Sequence, residues 1–462
     1  MERWSLLGSP RNGGFFMSDN LSKDLYSALC AIPLIDPHSH IDAFAPTSRS
    51  LDDILGYHYY TELAHSAGMS HEPLRKETSP RDRVRAILGH MGRFDNTIQY
   101  SWFVEIAREF LGFTGDRVTV ADTDTLFDAA QKTFAQPDWE KQVLQKTKLE
   151  AIFLTNEFDD ELDGFDTKKY VPCLRTDSIV FHLEKANVRN RLMDATGVDF
   201  GDAQSLRKAI WKLFARFKAK GAKACAISLP PDFTPVKISD SELDRAVKAL
   251  SGDSTFAKAV FGGVQFAKSI AGTSSATDAS PQTAVAAGMF WMLAEHCREF
   301  ELPFDLMIGV NRKVYEAGVY QGQDLFDRRT SLIQYRDLFN AFPEVTFPIS
   351  VLTSGQNQEL VAYAWIFPNV IPNGHWWYSN IPGYIRRDLG ERLQAVPKTK
   401  QIGYYSDAYK LEFVLPKYNM YRTVLADTLA EDFVCPKRLT ETEAVALGKR
   451  ILRDNVREVF HV

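Results

Sequence analysis

The stretch at residues 33–42 reads PLIDPHSHID, a short apolar run that ends in two histidines separated by one residue. In a β-strand, side chains i and i+2 point to the same face, so His38 and His40 can reach one metal ion if the strand continues that far. A pair of surface histidines after a buried strand is the alternative that the motif by itself leaves open. Asp407 ends another apolar run late in the chain and offers the carboxylate that commonly joins imidazole around a cation. We therefore predict one divalent metal, with zinc as the expected ion, held by His38, His40 and Asp407.

Composition excludes several classes of protein. The chain has 462 residues, 45% of them hydrophobic, and a net charge of -5, which is typical of a globular protein with one large barrel or with two or three domains. The slight acidity and the lack of a dense basic run argue against a nucleic-acid partner, and no apolar segment reaches transmembrane length. The five cysteines are scattered and form no Cys-x-x-Cys pair, so we expect buried thiols in a reducing cytoplasm. A homo-oligomer without membrane contact is the expected state.

The apolar run at 34–37 is the first of eight similar short runs. Most of them are separated by helical patterns, and their near-continuous apolar character fits parallel strands that are covered by helices. Eight such strands predict a TIM-type (β/α)8 barrel of the α/β class. An open doubly wound sheet is the alternative, which is weakened because no Gly-x-Gly-x-x-Gly follows the first run. The other seven runs are 151–155, 170–174, 223–228, 304–309, 345–351, 369–374 and 401–406.

Helical periodicity defines the predicted domain organisation. Residues 1–30 form an N-terminal segment with a leading helix from Asp19 to Cys30, and residues 31–462 form the barrel. Between the first and second runs, apolar residues recur at three and four positions with little alternation, which indicates a mainly helical insertion at about 45–148. The helical stretches in it are 51–67, 80–93, 97–111 and 122–136.

Polar residues that follow the runs are the candidates for chemistry, because the active sites of such barrels lie where the strands end. These residues are His38 and His40, 155–160, Arg175, Ser228, 307–312, Thr353 and Ser354, 375–377, and Asp407.

Six motifs, in matching order and spacing, resemble those of the uronate isomerases of the amidohydrolase superfamily. The resemblance covers most of the chain after residue 30. It implies a metal-dependent barrel enzyme that isomerises a hexuronic acid, of the D-glucuronate to D-fructuronate type. The motifs are Asp36–His40, which looks like the metal-binding His-x-His of strand one, 56–59, 96–102, 172–177, 374–380 with its paired tryptophans, and 405–407 with the strand-eight aspartate.

The departures from the family pattern identify a divergent member. The family shows Asp-Ser-Arg at strand eight, whereas this chain has Asp407-Ala408-Tyr409, so a phenol replaces a cation expected to hold substrate. Met307 stands where strand five usually carries a histidine, and the strand-four segment reads ISLP at 227–230 instead of Asp-His-Gly. A later family arginine appears as Lys417, while Arg422 is retained. If the family arginine only grips a substrate oxygen, Lys410, Lys417 or Arg422 could supply the charge that is lost at 409. If it instead fixes Asp407, isomerisation should fail.

The chemistry of aldose–ketose isomerisation assigns roles to several of these residues. A proton moves between adjacent carbons through an enediolate, which needs a base, a partner at the oxygens and positive charge. Asp407 is predicted to act as the base as well as a metal ligand. Tyr59 is predicted to move the proton between the oxygens, with His58 orienting it. The alternative for both is a helix that packs against the barrel mouth.

The remaining predictions concern substrate binding. Arg175 offers a fork for a carboxylate, and its alternative is a salt bridge to Asp177 or Glu157. Trp376 and Trp377 form either a sugar platform or part of the core, and the further candidates are His375, Tyr409, Lys417 and Arg422. Two other functions stay open: a hydrolase or decarboxylase of the same superfamily that acts on a small carboxylate with the same metal ligands, and a non-catalytic protein that binds a sugar acid.

Overall fold

Short parallel strands form the centre of the molecule. The computed structural model describes residues 14–251 and 280–462. In these ranges three sheets form, with strand orders β1-β2-β3, β10-β9-β6-β5-β4 and β7-β8, of which the first two are parallel and the last is an antiparallel pair. The strands are β1 Leu34–Asp36, β2 Leu149–Phe153, β3 Tyr170–Val171, β4 Cys173–Arg175, β5 Ala224–Leu229, β6 Phe304–Ile308, β7 Val310–Asn311, β8 Leu325–Phe326, β9 Phe347–Val351 and β10 Val370–Pro372.

Backbone contacts join the two parallel sheets on one side of the barrel. Pro172, which has no N–H to donate to a ladder, separates β3 from β4, so the third run contributes to both sheets. A parallel bridge pairs Asn156 with Leu174, and the Arg175 N–H donates to the Asn156 carbonyl at 2.9 Å. The sheet therefore continues from the second run to the third.

The run 401–406 closes the barrel on the other side. It makes a parallel bridge from Ile402 to Asn373, next to β10. Towards β1, the Asp407 N–H donates to the His38 carbonyl at 3.1 Å, and the His40 N–H donates to the Ala408 carbonyl at 2.8 Å. All eight predicted runs thus lie side by side in chain order, and the predicted barrel is confirmed.

Helices surround the barrel and fill the long connection after β1. Ser79 and Thr97 cap α4 and α5 by accepting backbone N–H groups, and Gly112 ends α5 at a φ of 71°. Before β2 the helices are α1 Gly14–Cys30, α2 Leu51–Leu55, α3 His58–Ser66, α4 Pro80–Met91, α5 Ile98–Leu111, α6 Thr123–Phe134 and α7 Trp139–Thr147. After it they are α8 Asp177–Phe181, α9 Ala186–Thr196, α10 Ala203–Ala219, α11 Asp240–Ser251, α12 Pro281–Glu299, α13 Arg336–Ala341, α14 Asn357–Ile366, α15 Pro382–Ala395, α16 Val414–Leu429, α17 Glu441–Lys449 and α18 Asn455–Phe460.

The helix predicted at 51–67 is broken in two. Gly56 ends α2, and Tyr57 adopts an extended conformation with a φ of -60° and a ψ of 134° before α3 begins. The break lets Tyr57, His58 and Tyr59 turn towards the barrel mouth. The predicted domain boundary at residue 30 and the limits of the insertion at about 45–148 stay predictions.

The barrel interior is small and is closed at one end by the last helix. Ile35, Phe153 and Ile371 from three strands pack with Val456 and Phe460 of α18. The prediction that the cysteines are buried is wrong for Cys435, which is exposed in the connection between α16 and α17, and Cys30 at the end of α1 is half-buried. Among the helices of the described ranges, none has the length and apolar character needed to cross a membrane.

Candidate active site

A cavity of about 170 Å³ opens at the ends of the barrel strands. At about 30 Å³ for each water molecule, it has room for a small polar molecule. Most of the side chains that line it follow strands, as expected for this fold. They are His38, His40, His58, Thr155, Arg175, Asp177, Ala226, Ile227, Ser228, Met307, Arg312, Gln321, Asp324, Trp376, Trp377, Asp407 and Tyr409.

His38, His40 and Asp407 come together on one wall of this cavity. Their ligand atoms all lie within 4.8 Å of one another. His38 Nε2 is 3.5 Å and His40 Nε2 is 3.3 Å from Asp407 Oδ1, and two ligands about 2.0–2.2 Å from a tetrahedral zinc ion lie about 3.3–3.6 Å apart. His38 Nε2 and Asp407 Oδ1 are buried and have no hydrogen-bond partner in the part of the chain that the structure describes. These donors therefore fit a divalent metal.

The backbone at Asp407 is held in an uncommon conformation. Its φ is 52°, in the left-handed region that non-glycine residues rarely adopt. The Tyr57 hydroxyl donates to the Asp407 carbonyl at 2.9 Å. The buried Lys417 ammonium donates to the Ser406 carbonyl at 2.7 Å and to the Tyr57 hydroxyl at 3.3 Å. Tyr57, just before α3, and Lys417 of α16 thus hold the backbone that places the carboxylate beside the two histidines.

Burial and neighbouring charges act in opposite directions on the pKa values of the acidic groups. Burial raises the pKa of Asp407, but the imidazoles of His38 and His40 outweigh this effect and hold that pKa well below its usual range. Asp407 is therefore ionised at neutral pH. Deeper in the barrel, burial raises the pKa of both Asp36 and Asp305 to about 6.

Tyr59 and His58 lie at different distances from the cavity. The Tyr59 hydroxyl donates to Asp407 Oδ2 at 3.5 Å from behind the carboxylate, and Tyr59 does not line the cavity. His58 does line it, and its Nδ1 is 2.7 Å from Glu62 Oε1. His58, which was predicted to orient Tyr59, is thus the one of the two residues that faces the cavity.

Arg175 lines the cavity and is also paired. Its Nε and Nη2 donate to the two oxygens of Asp177 at 3.2 and 3.4 Å, and its Nη1 is 3.9 Å from Glu157 Oε1. Burial lowers the pKa of Arg175, but the two carboxylates outweigh it and raise that pKa. Nη1 makes no hydrogen bond to the described residues and remains available to a ligand.

Aromatic rings form the other walls. Trp376 and Trp377 both line the cavity, and the Trp377 ring packs edge-on against His58 at 5.4 Å. Tyr409 stacks on His40 with ring centroids 4.8 Å apart. Trp376, Trp377 and Tyr409 thus occupy positions in which they can contact a bound molecule.

The structure places three other predicted substrate-binding residues outside the cavity. Gly374, at a φ of 56°, turns the chain so that His375 is buried near Tyr421, at a ring distance of 5.9 Å. Lys417 lies behind Tyr57. Arg422 donates to the Ile32 carbonyl, which precedes β1 at the opposite end of the strand. Lys410, expected to compensate for position 409, instead donates to the Ala45 carbonyl at 2.6 Å.

Several cavity residues lie in a loop that sequence reasoning did not single out. The loop 312–324, here called the roof loop, connects β7 with β8 and contributes Arg312, Gln321 and Asp324. Arg312 was noted only as a member of the stretch after a strand. Gln321 and Asp324 lie many residues beyond the strand end, so the strand-end rule had no means of finding them.

Comparison with known proteins gives a consistent result. No family model matches the chain. It is 22% identical over 477 residues to a uronate isomerase of Corynebacterium efficiens, an alignment that covers 96% of this chain and 95% of that protein. The structure of a uronate isomerase from Thermotoga maritima has a TM-score of 0.83 at 18% identity, covering 96% of this chain and 97% of that one. A glucuronate isomerase from Caulobacter crescentus has the same score and identity, covering 98% and 97%. The fold and the resemblance to a divergent uronate isomerase are confirmed.

Proposed function

We propose that this chain is a metal-dependent isomerase that interconverts an aldose and a ketose form of a hexuronic acid, of the D-glucuronate to D-fructuronate type. One observation carries the proposal: a single small cavity contains a cluster of nitrogen and oxygen donors, an arginine and two tryptophans. A sugar acid offers a carbonyl to a metal held by the donor cluster, a carboxylate to the arginine and an apolar C–H face to the tryptophans. The relatives are named uronate isomerases, so their own substrates are acids of this class.

His38, His40 and Asp407 would hold the metal, and zinc is an ion that such a donor set favours. When bound, a divalent cation supplies positive charge that polarises the substrate carbonyl and stabilises the negative charge developing on its oxygen.

Asp407 is the proposed base that moves the proton between the two carbons through an enediolate. Its low pKa keeps the carboxylate ionised and able to accept a proton, although it also makes the base a weak one. Burial raises the pKa of Tyr59 well above its usual value, so the hydroxyl keeps its proton and donates to Asp407 Oδ2. We assign Tyr59 the task of orienting Asp407.

His58 is the proposed carrier of the proton that passes between the two substrate oxygens. Glu62 accepts from Nδ1, so Nε2 is the ring nitrogen left for the substrate. An imidazole can accept a proton from one oxygen and return it to the neighbouring one. This assignment gives His58 the proton transfer that was predicted for Tyr59, because His58 is the one of the two that lines the cavity.

Arg175 is proposed to bind the substrate carboxylate through its free Nη1. Trp376 and Trp377 would pack against the sugar chain, and Tyr409 would restrict the space beside His40.

Incubation of the zinc-loaded protein with D-glucuronate and D-galacturonate in deuterated water tests the proposal. Proton transfer through an enediolate should give the ketose together with deuterium at the carbon next to the carbonyl, both measured by NMR. If neither appears while metal analysis finds zinc bound, the isomerase assignment is wrong. Release of a hydrolysis product or carbon dioxide from small carboxylates would then identify a hydrolase or decarboxylase, and binding of D-glucuronate without any reaction would identify a non-catalytic sugar-acid binding protein.

A further inference from the structure

Two arginine side chains line the cavity together with the metal-type donors. Arg175 ends β4 in the third barrel strand, and Arg312 follows β7, just after the fifth. His38, His40 and Asp407 belong to the first and eighth strands. In a barrel of eight strands in chain order, the two arginines therefore lie on either side of the fourth strand. Between them, the fourth strand contributes Ser228 to the wall.

Arg312 keeps most of its hydrogen-bonding capacity. Its Nη1 donates to Asp324 Oδ2 at 2.6 Å, which is the side chain's one hydrogen bond to the described residues. A guanidinium has five N–H donors, so Nε and Nη2 remain free. The side chain is 51% exposed, whereas that of Asp324 is 13% exposed. Arg175, by contrast, uses Nε and Nη2 on Asp177 and has Glu157 near Nη1.

The roof loop holds Asp324, and through it Arg312, in place. The Lys313 N–H donates to Asp324 Oδ1 at 2.8 Å, and the Tyr378 hydroxyl donates to the Asp324 carbonyl at 2.6 Å. Both carboxylate oxygens of Asp324 are therefore occupied, which fixes the direction in which it presents the guanidinium. Fixing the donors before a ligand arrives reduces the entropy lost on binding.

The tip of the roof loop rests on the insertion. The Ala317 carbonyl is 3.0 Å from His71 Nε2. Gly322 packs so closely on Glu62 that a Cβ at 322 would lie 2.5 Å from Glu62 Cγ. Gln321 lines the same cavity as Tyr409. The loop thus spans the mouth from the fifth strand to α3.

We infer that Arg312 binds the carboxylate of the substrate together with Arg175, and that this pair makes the site selective for charged over uncharged hexoses. The inference rests on the proposed function and deepens it. A carboxylate has about four lone-pair positions on two oxygens, and neither arginine offers a complete free fork. Nη1 of Arg175 can serve one oxygen, and Nε and Nη2 of Arg312 can serve the other. The reacting carbonyl then lies towards His38, His40 and Asp407.

Arg312→Met tests the inference when the substrates are D-glucuronate and D-glucuronamide, which differ in the charge of one terminal group. We expect the KM for D-glucuronate to rise about tenfold, as for loss of a charge-assisted hydrogen bond. The KM for the amide should change by less than about twofold, and kcat should change little. Arg312→Lys keeps the charge but not the fork and should give an intermediate KM. The matched control is Lys313→Met, which removes a neighbouring exposed cation of the same loop that does not line the cavity.

Titration calorimetry of D-glucuronate with the same zinc-loaded proteins separates this inference from the proposed function. Binding by the wild type without ketose formation would refute the isomerase, while a tenfold weaker Kd for Arg312→Met would still support Arg312. An unchanged preference for acid over amide in Arg312→Met would overturn the inference and leave the isomerase intact. Absence of D-glucuronate binding to the wild type would overturn both.

Discussion

At the scale of single residues, Asp407 is the centre of the candidate site, because its carboxylate faces His38 and His40 while Tyr57 binds its carbonyl. Its position at the end of an apolar run and the His-x-His motif were enough to predict the donor cluster. The groups that hold it, Tyr57 and Lys417, could not be predicted as its supports. Tyr57 lies just before α3 and Lys417 lies in α16, and sequence separation gives no information about which helix or connection faces which strand end. For the same reason Arg422, retained from the family pattern, was expected near substrate although it lies at the other end of β1.

The metal ligands give the first prediction. His38→Ala combined with His40→Ala should abolish binding of the divalent metal, because two of three donors are lost and the remaining carboxylate cannot hold the ion alone. Metal content after dialysis against zinc, measured by mass spectrometry, checks this. His182→Ala, at a half-exposed histidine far along the chain, is the control. Full occupancy in the double variant would show that the site is elsewhere.

Arg175 gives the second prediction. Arg175→Met should raise the Kd for D-glucuronate more than tenfold, since losing one partner of a shielded charge pair costs about 2–5 kcal/mol, and it should leave the metal content unchanged. Calorimetry and metal analysis on the same sample measure both. Arg191→Met is a matched control, because Arg191 also pairs with Glu157 but does not line the cavity. An unchanged Kd for D-glucuronate in Arg175→Met would show that Arg175 does not bind the substrate carboxylate.

Asp305 gives a prediction about pH. Burial raises its pKa from 3.8 to about 6 in the folded protein, so the folded state holds the proton more tightly than the unfolded state. The stability that this group contributes is complete below about pH 4 and is lost as the pH rises through about 6. Asp305→Asn should therefore stabilise the metal-free protein at pH 7 by at most about 3 kcal/mol and reduce the loss of stability between pH 4 and 6. Denaturant unfolding at pH 4, 6 and 7 measures the free energy of unfolding of both proteins. If the variant loses as much stability between pH 4 and 6 as the wild type, the prediction is wrong.

At the scale of elements, the sequence predicted the strands better than the connections. The eight runs were recognisable because strands buried on both faces are apolar almost throughout. The helix predicted at 51–67 is broken because an apolar pattern does not report the extended conformation of Tyr57. The roof loop carries no periodic pattern, and its hairpin β7–β8 is only two residues long on each side. Elements whose conformation depends on long-range packing thus could not be predicted from the sequence.

The turn after β10 gives a prediction at this scale. At Gly374, φ is 56° and an added Cβ would lie 2.3 Å from the Tyr405 ring, so Gly374→Ala should destabilise the fold by about 1–3 kcal/mol. Tyr405 also packs on His38 at 5.2 Å, so zinc affinity should fall. Gly383→Ala is the control, because nothing lies within 4 Å of that position in α15 and a gain of up to about 1 kcal/mol is expected. Equal unfolding free energies for the two variants would refute this account.

At the scale of the whole molecule, the barrel has a weak seam between its first and eighth strands. Among the described residues, two backbone hydrogen bonds join these strands, from the Asp407 N–H to the His38 carbonyl and from the His40 N–H to the Ala408 carbonyl, and both lie beyond β1 and the run 401–406. Ser406 N–H donates to Asp36 Oδ1 at 3.0 Å and supplies one of the remaining ties. The predicted closure was right, because eight apolar runs alternating with helices fit a closed barrel, whereas the small number of hydrogen bonds across the seam could not be predicted from the sequence. A metal held by His38, His40 and Asp407 would cross-link this seam.

Removal of the metal should therefore affect the seam more than the rest of the barrel. Chelation should lower the Tm, since a ligand at a hundredfold excess over its Kd stabilises the folded state by about 2.7 kcal/mol. Hydrogen exchange should rise first in 34–41 and 401–408, and much less in β5 and β6. Calorimetric melting and exchange mass spectrometry measure the two effects. A uniform rise in exchange across the barrel would mean that the metal does not reinforce the seam.

The same seam has a consequence for biosynthesis. His38 and His40 leave the ribosome early, while Asp407 follows only near the end of the chain. At a synthesis rate of about 5–20 residues per second, His38 and His40 are made tens of seconds before Asp407. The three-donor site can therefore form only after all eight strand segments have been synthesised, so a metal could contribute to folding only late in the synthesis of the chain or after it.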